Sequence, residues 1–432
     1  MVEFPHIPVN GSADLDSLIG TLELGEHRYE VSVDASVALA PDPRIVIGGS
    51  AEPKEHPFEF FPFAFDVSNA SLFLESSLEP VELLITQWSI GEQGSFRARI
   101  RSGNVVVGSR SDCDTVVFGL LNFPDVLAQE DGEAYLNSFD LHDDELGVEI
   151  QVRPTADPST FSRLKEVGGY GLTHLGFLKP LHGNGLEYSR VCEVLDRVQY
   201  FLSFCSGAWT PPFLARGIVG DQIVWHELSN RLATAWPCPP SWLDRHNAQA
   251  AGQAYPGFCR VWANADRKKA LTTSLYWYLR SNSSSVGVDG ALVLTQAALE
   301  HLAWHELVEQ RGSISGEGFE RLPAADQLRL LLSAFGIPGK LPEGLEELAR
   351  LARELDWDGP AAFTEIRNNL VHPGRKRRRL ASRNIPYFEA WGLGQWYLEL
   401  ALLRMFNFNG VYHDRTRRSR WVGDVVPVPW AS

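Results

Sequence analysis

Arg367-Asn368-Asn369-Leu370-Val371-His372 places a guanidinium, carboxamides and an imidazole within six residues. These groups suit phosphodiester chemistry. An imidazole moves protons near neutral pH, a guanidinium binds and neutralises a phosphate, and an amide orients either one. Of the twelve histidines only His372 has an arginine five positions before it. That pair also has Asn after the Arg, apolar residues before the His, and Pro373 after it.

The surrounding residues say how the trio is held. Gly359-Pro360 is a good helix opening, and Phe363, Ile366 and Leu370 then form an apolar stripe at spacings of three and four. With that stripe against a core, Asn368 and His372 fall together on the opposite side, one turn apart, and Arg367 lies on the flank between. Pro373 disfavours helical geometry at His372, so the helix ends at the histidine. A helix C-terminus favours a cation, which suits His372 as a general acid or base but repels a phosphate. Arg367 and the run Arg375, Lys376, Arg377, Arg378 and Arg379 are the cations that would overcome this repulsion.

Stepping outward along the chain, residues from Thr21 to about Pro180 read as short β-branched and aromatic runs broken by Gly, Pro and Asp, the pattern of a mainly antiparallel β domain. The strands expected are His27 to Val37, Phe58 to Val67, Val81 to Trp88, Phe96 to Ile100, Val105 to Val107 and Val148 to Val152. The aromatic run Phe58 to Phe65 reads as core between sheets. Val191, Val194, Leu195, Val198 and Leu202 then recur at helical spacing up to Cys205-Ser206-Gly207. From Tyr255 onward the periodicity is helical, with helices near Asn264 to Arg280, Val286 to Gln310, Ala324 to Phe335, Leu345 to Leu355, Pro360 to Val371 and Ile385 to Phe408. The fold class expected is α+β. A β-rich domain occupies residues 1–183, a helix and connecting segment 184–254, and an all-α bundle 255–432.

At 432 residues the chain exceeds the usual reach of one hydrophobic core. Its 44% hydrophobic and 22% charged residues are those of a globular protein. Five cysteines without a Cys-x-x-Cys pair argue against a disulfide framework and a zinc ribbon, and point to a reducing compartment. The opening residues carry no basic-then-apolar leader and no stretch is long enough for a membrane span, so the expected location is the cytoplasm, with no membrane partner. The net charge of -15 opposes general coating of nucleic acid. From Ala361 onward, however, twelve Arg and Lys face five Asp and Glu, so a polyanion would bind near the C-terminus.

Other candidates are weaker. His301 and His305 lie four apart beside Glu300 and Glu306, but the glutamate directly after the first histidine that metalloproteases use is missing and no third ligand is placed; neither a metal nor a cofactor is expected. Arg415, Arg417, Arg418 and Arg420, near Tyr412 and Trp421, either extend an RNA track or contact the acidic N-terminal half. No Gly-x-Ser-x-Gly elbow occurs.

Arg367-Asn368-x-x-x-His372 at the end of a short helix, followed by a long helix from Ile385, resembles the signature of the HEPN superfamily. A β-rich half joined to such a domain further resembles ApeA-type anti-phage defence proteins. The resemblance implies an endoribonuclease that cuts RNA without metal, by attack of the ribose 2′-hydroxyl on the adjacent phosphate. In that scheme His372 moves protons, Arg367 holds the scissile phosphate, Asn368 orients the histidine or binds a phosphate oxygen, and the residue 375–379 run binds RNA. It also implies a homodimer that shares a composite site, and a phage-derived trigger acting on the N-terminal domain. The alternative within the same resemblance is a non-catalytic module that binds nucleotide or RNA as a sensor or partner.

Overall fold

A computed structural model of the chain describes residues 4–25, 27–51, 70–77, 79–89, 94–101, 104–130, 133–136, 138–155, 157–183, 185–372, 380, 383–417, 421 and 423–431. It is α+β, with antiparallel strands gathered in the N-terminal half and helices in the C-terminal half. The chain divides into two compact units that interleave in sequence: residues 1–125, 146–199 and 210–238 form the first, and residues 126–145, 200–209 and 239–432 the second.

In the first unit, β1 (Ser12–Leu24), β2 (His27–Ala38), β3 (Arg44–Ala51), β4 (Ala70–Leu74), β5 (Val81–Ser89) and β6 (Gly94–Ile100) close into a barrel in the order β1-β2-β3-β6-β5-β4. Alternation drives closure. Val31, Val33, Ala35 and Val37 of β2 turn inward to meet Ile45 and Ile47 of β3 and Phe96, Ala98 and Ile100 of β6, all buried, and the closed sheet leaves no edge exposed.

Further antiparallel strands of this unit are β7 (Asn104–Gly108) and β8 (Thr115–Leu121). The hairpin β9 (Leu127–Glu130) and β10 (Glu133–Leu136), with β11 (Phe139–Asp143), belongs to the second unit. Then follow β12 (Val148–Pro154), α1 (Ser159–Val167), β13 (Leu172–Pro180), α2 (Tyr188–Ser206), β14 (Pro212–Val219) and β15 (Gln222–Ser229). The unit's second sheet runs β12-β13-β8-β14-β15-β7. The stripe Val191, Val194, Leu195, Val198 and Leu202 on α2 is buried, as its spacing requires.

The second unit is built on helices: α3 (Gln249–Trp262), α4 (Ala265–Ser281), α5 (Gly287–Trp304), α6 (Gly316–Glu320), α7 (Ala324–Phe335), α8 (Glu346–Leu355), α9 (Gly359–Val371) and α10 (Tyr387–Met405). α5 widens into a π-helical turn over His305–Gln310. The tail adds a two-residue pairing of β16 (Val411–Tyr412) with β17 (Val426–Pro427). Gly252 of α3 sits where an added Cβ would lie 2.9 Å from the Asp140 carbonyl, so the helix approaches β11 closely. α4, α5, α7 and α9 pack around α10, whose residues from Leu398 to Leu403 are fully buried. Among the described residues no helix is long and apolar enough to cross a membrane.

The strand placed at Phe58 to Val67 lies outside the described residues, as does the aromatic run 58–65. α1 and α6 are not legible as helices in the sequence. α1 has only nine residues, two of them buried, and no side-chain cap at its start. α3 begins at Gln249, earlier than the helical pattern from Tyr255 suggests, because Pro256 interrupts the reading while sitting inside the helix.

Candidate functional site

α9 carries the Arg367, Asn368 and His372 trio, and its start is pinned. The Asp358 side chain accepts from the Ala361 N–H at 2.9 Å and caps the helix. Arg329 of α7 donates to both Asp358 oxygens at 2.6 and 2.8 Å. Burial raises the Asp358 carboxyl, but the bonds from Arg329 and Ala361 outweigh it and hold the group below the usual carboxylate range.

α9 lies antiparallel to α10. Gly359 abuts the Tyr397 hydroxyl and Phe363 stacks over Gly394; in both places a Cβ would collide. Continued for one more turn at helical rise, this pairing brings Arg367 to the level of Ala390 and Trp391, near the start of α10. The second turn of α9 is core, with Ala362, Phe363 and Ile366 fully buried. From Arg367 to Leu370 the residues are half-buried, and Val371 and His372 are exposed. Leu370 is thus less covered than the stripe predicts, because the helix end projects past its neighbours.

His372 ends the helix as a residue of extended geometry (φ -124°, ψ 98°), as expected before Pro373, and its N–H still donates to the Asn368 carbonyl at 3.0 Å. Arg367 Nη1 donates to Asn368 Oδ1 at 3.2 Å, so these two side chains are brought together. Arg367 Nε is buried and has no hydrogen-bond partner, and no carboxylate pairs with this guanidinium among the described residues. A buried N–H left unmade costs about 1–3 kcal/mol, and this donor has no partner among the described residues. Arg375, Lys376, Arg377, Arg378 and Arg379 lie outside the described residues.

The other sequence candidates resolve differently. Arg415 is not a tail cation available to an anion. It is buried in the second unit, where its Nε donates to Glu399 Oε2 at 3.0 Å and its Nη2 donates to Oε1 of the same residue, while Tyr278 Oη donates to Oε1 at 2.6 Å. Burial opposes charge on Arg415, but the Glu399 carboxylate more than offsets it. Tyr412 is buried and accepts from Trp396 Nε1 at 2.9 Å, whereas Arg417 and Trp421 are exposed; Arg418 and Arg420 are outside the described residues. Sequence reading missed this triad. Its signal is a glutamate inside the apolar run Trp396 to Leu403, which has to find a cation.

His305 Nδ1 lies 3.0 Å from Glu309 Oε2, and Trp304 donates to Oε1 at 2.9 Å. These two bonds, His305 first, hold the Glu309 carboxyl below its usual range. His301 stacks edge-on against Trp277 with centroids 5.7 Å apart, and burial first, then His305, lowers its pKa. Among the described residues no three His, Cys, Asp or Glu are grouped to hold a metal. None of the five cysteines forms a disulfide, and burial raises Cys113 to about 11 and Cys205 well above its ordinary value, which suits packing groups rather than nucleophiles.

Two domain families match this chain. Residues 264–427, which include α9 and the trio, match the model of the YopA C-terminal domain, and residues 108–238 match that of the YopA central domain. Over 422 residues the chain is 25% identical to the "SPbeta prophage-derived uncharacterized protein YopA" of Bacillus subtilis (strain 168), covering 95% of this chain and 93% of that protein. The similarity therefore runs through both units. No solved structure matches.

Proposed function

We propose that the chain is a metal-independent endoribonuclease whose site is the exposed end of α9, and that it damages cellular RNA as an effector of anti-phage defence. The observation that carries this is the buried Nε of Arg367, without a partner among the described residues, beside Asn368 and one turn before an exposed histidine that ends the helix. Asn368 fixes one side of the guanidinium plane. A phosphate would supply the partner that Nε lacks among the described residues.

In this reading His372 takes the proton from the 2′-hydroxyl or delivers one to the leaving 5′-oxygen. The 2′-oxygen attacks phosphorus, the P–O5′ bond breaks, and a 2′,3′-cyclic phosphate and a 5′-hydroxyl result. Arg367 stabilises the charge that develops on the phosphoryl oxygens. One imidazole performs only one of the two proton transfers at a time, so a second copy of the chain is the proposed source of the other. Val371 (41% exposed) and Phe388 (72% exposed), at this end of α9 and α10, offer it an apolar surface. The HEPN resemblance rests on the motif and helix order, and the YopA names carry no activity. The relative's name, prophage-derived, gives a phage context to a protein of this layout.

The test is incubation of the purified protein with tRNA and single-stranded RNA in EDTA. Cleavage is expected from the native chain, and its loss is expected in His372→Ala and Arg367→Ala. Cleavage that survives unchanged in His372→Ala removes that histidine from the mechanism.

A further inference from the structure

The second unit carries a cleft of about 940 Å³ apart from the trio on α9. It lies along α8, between an exposed face of that helix and the loop 339–343 that precedes it. Two backbone bonds set the direction of the loop. The Gly359 N–H donates to the Gly339 carbonyl at 2.9 Å, which holds the start of the loop beside the turn into α9. The Leu345 N–H donates to the Pro342 carbonyl at 3.3 Å, which holds its end at the start of α8. Trp357, whose N–H donates to the Ala352 carbonyl at 2.9 Å, stands beside the last turn of α8. Lys340 and Arg353 therefore lie at the Trp357 end of the cleft, Glu343 and Glu346 at the other, and Ala349 and Ala352 form a low floor between them.

The charges at both ends are available. Lys340, Arg353, Glu343 and Glu346 are exposed, and none of them makes an ion pair among the described residues. The lining carboxylate that is engaged is Asp358, which caps α9 and binds Arg329. Opposite charges pair along a helix at spacings of three or four, whereas Glu346 and Arg353 are seven residues apart, about 10 Å along the axis, so they do not neutralise each other. Trp357 is half-buried, and its indole meets no other ring and no cation among the described residues. The cleft thus offers an aromatic wall with cations at one end and acids at the other.

We infer that this cleft binds the C-terminal end of a partner protein with the pattern basic, any residue, aromatic, free carboxylate. The spacing selects a chain end. In an extended peptide, side chains on one side recur every two residues, about 7 Å apart, so a charged side chain at about 10 Å from the first would fall on the wrong side. The α-carboxylate of a last residue at i+2 lies about 3 Å beyond that residue, and so meets the 10 Å separation. Lys340 and Arg353 then hold the carboxylate, the last side chain lies on the alanine floor against the Trp357 ring, and the basic side chain two residues upstream reaches Glu343 and Glu346. A polyanion fits badly, because its backbone would have to pass the two acids and approach a chain of net charge -15. This inference is independent of the ribonuclease reading.

The test uses the full chain and the peptide Gly-Ser-Gly-Lys-Ser-Phe, labelled with fluorescein at its N-terminus and free at its C-terminus, read by fluorescence anisotropy. Saturable binding is expected. It should weaken at least tenfold when the peptide carboxylate is amidated, and as much in Arg353→Glu, with an unchanged melting temperature showing that this exposed substitution leaves the fold intact. A peptide with Glu in place of Lys should bind the native chain poorly and regain affinity for Glu346→Lys. Three results overturn the inference: no saturable binding of the free-acid peptide, equal binding of the free acid and the amide, or a labelled hexauridylate that binds in an Arg353-dependent manner while the peptide does not. The last would make the cleft part of a nucleic-acid track.

Discussion

Replacing Arg367 with Met separates a side chain kept for chemistry from one kept for folding. The substitution removes the bond from Nη1 to Asn368 Oδ1, 3.2 Å long and only part-buried, worth about 0.5–1 kcal/mol. It also removes the buried Nε that has no partner, relieving a cost of about 1–3 kcal/mol, and the Met side chain retains most of the packing of the arginine stem. The balance runs from no change to a gain of about 2 kcal/mol. In a folding unit of roughly 200 residues each kcal/mol moves the midpoint by about 2–4 °C, so the melting temperature should hold or rise. RNA cleavage should fall by about 10²–10³-fold, the usual cost of losing one donor aimed at developing charge. Calorimetry and a single-turnover cleavage assay on the same preparation decide it. A melting temperature lowered by several degrees, or cleavage within about threefold of the native chain, would refute the reasoning.

Arg415→Met should behave oppositely, leaving Glu399 buried and uncompensated at a cost of about 3–5 kcal/mol, read as a large drop in denaturation midpoint. Gly394→Ala should cost about 1–3 kcal/mol by driving a methyl into Phe363, and should lower cleavage with stability because it shifts α9; chemical denaturation and the RNA assay check both effects. Burial, more than any neighbouring charge, lowers the pKa of His226 and His301, so below the unfolded value of about 6.5 the unfolded chain takes up protons that the native chain does not. Stability should therefore fall as pH drops through 6.5 toward the depressed native values, with no contribution above that window. The lowered carboxyls of Asp157, Asp358 and Glu309 weaken the fold only below about pH 4. Melting temperatures of the native chain and His301→Gln between pH 7.5 and 5.5 test this, and the variant should show the shallower slope.

What could be read from sequence was what local rules determine. α9 was legible because Pro360 opens it, Phe363 and Ile366 recur on one side, and Pro373 forces His372 out of helical geometry. The strand β2 was legible from alternation, β5, β6 and β12 from their β-branched and aromatic runs, and α5 and α10 from helical periodicity. Barrel closure was not, since β3 pairs with β6 about fifty residues later and nothing in either strand names its partner. The interleaving of the two units is hidden for the same reason. Arg415 read as one of several tail cations because its partner Glu399 lies in another element, and only burial of both ends distinguishes the pair from a solvated charge.

The central claim is most directly tested by the ends left on a defined RNA. Cleaved in EDTA and analysed by mass spectrometry, the upstream fragment should carry a 2′,3′-cyclic phosphate and the downstream fragment a 5′-hydroxyl, and a single 2′-deoxy substitution at the cut nucleotide should abolish that cut. A 3′-hydroxyl with a 5′-phosphate, or undiminished cutting of the deoxy-substituted strand, would contradict the account.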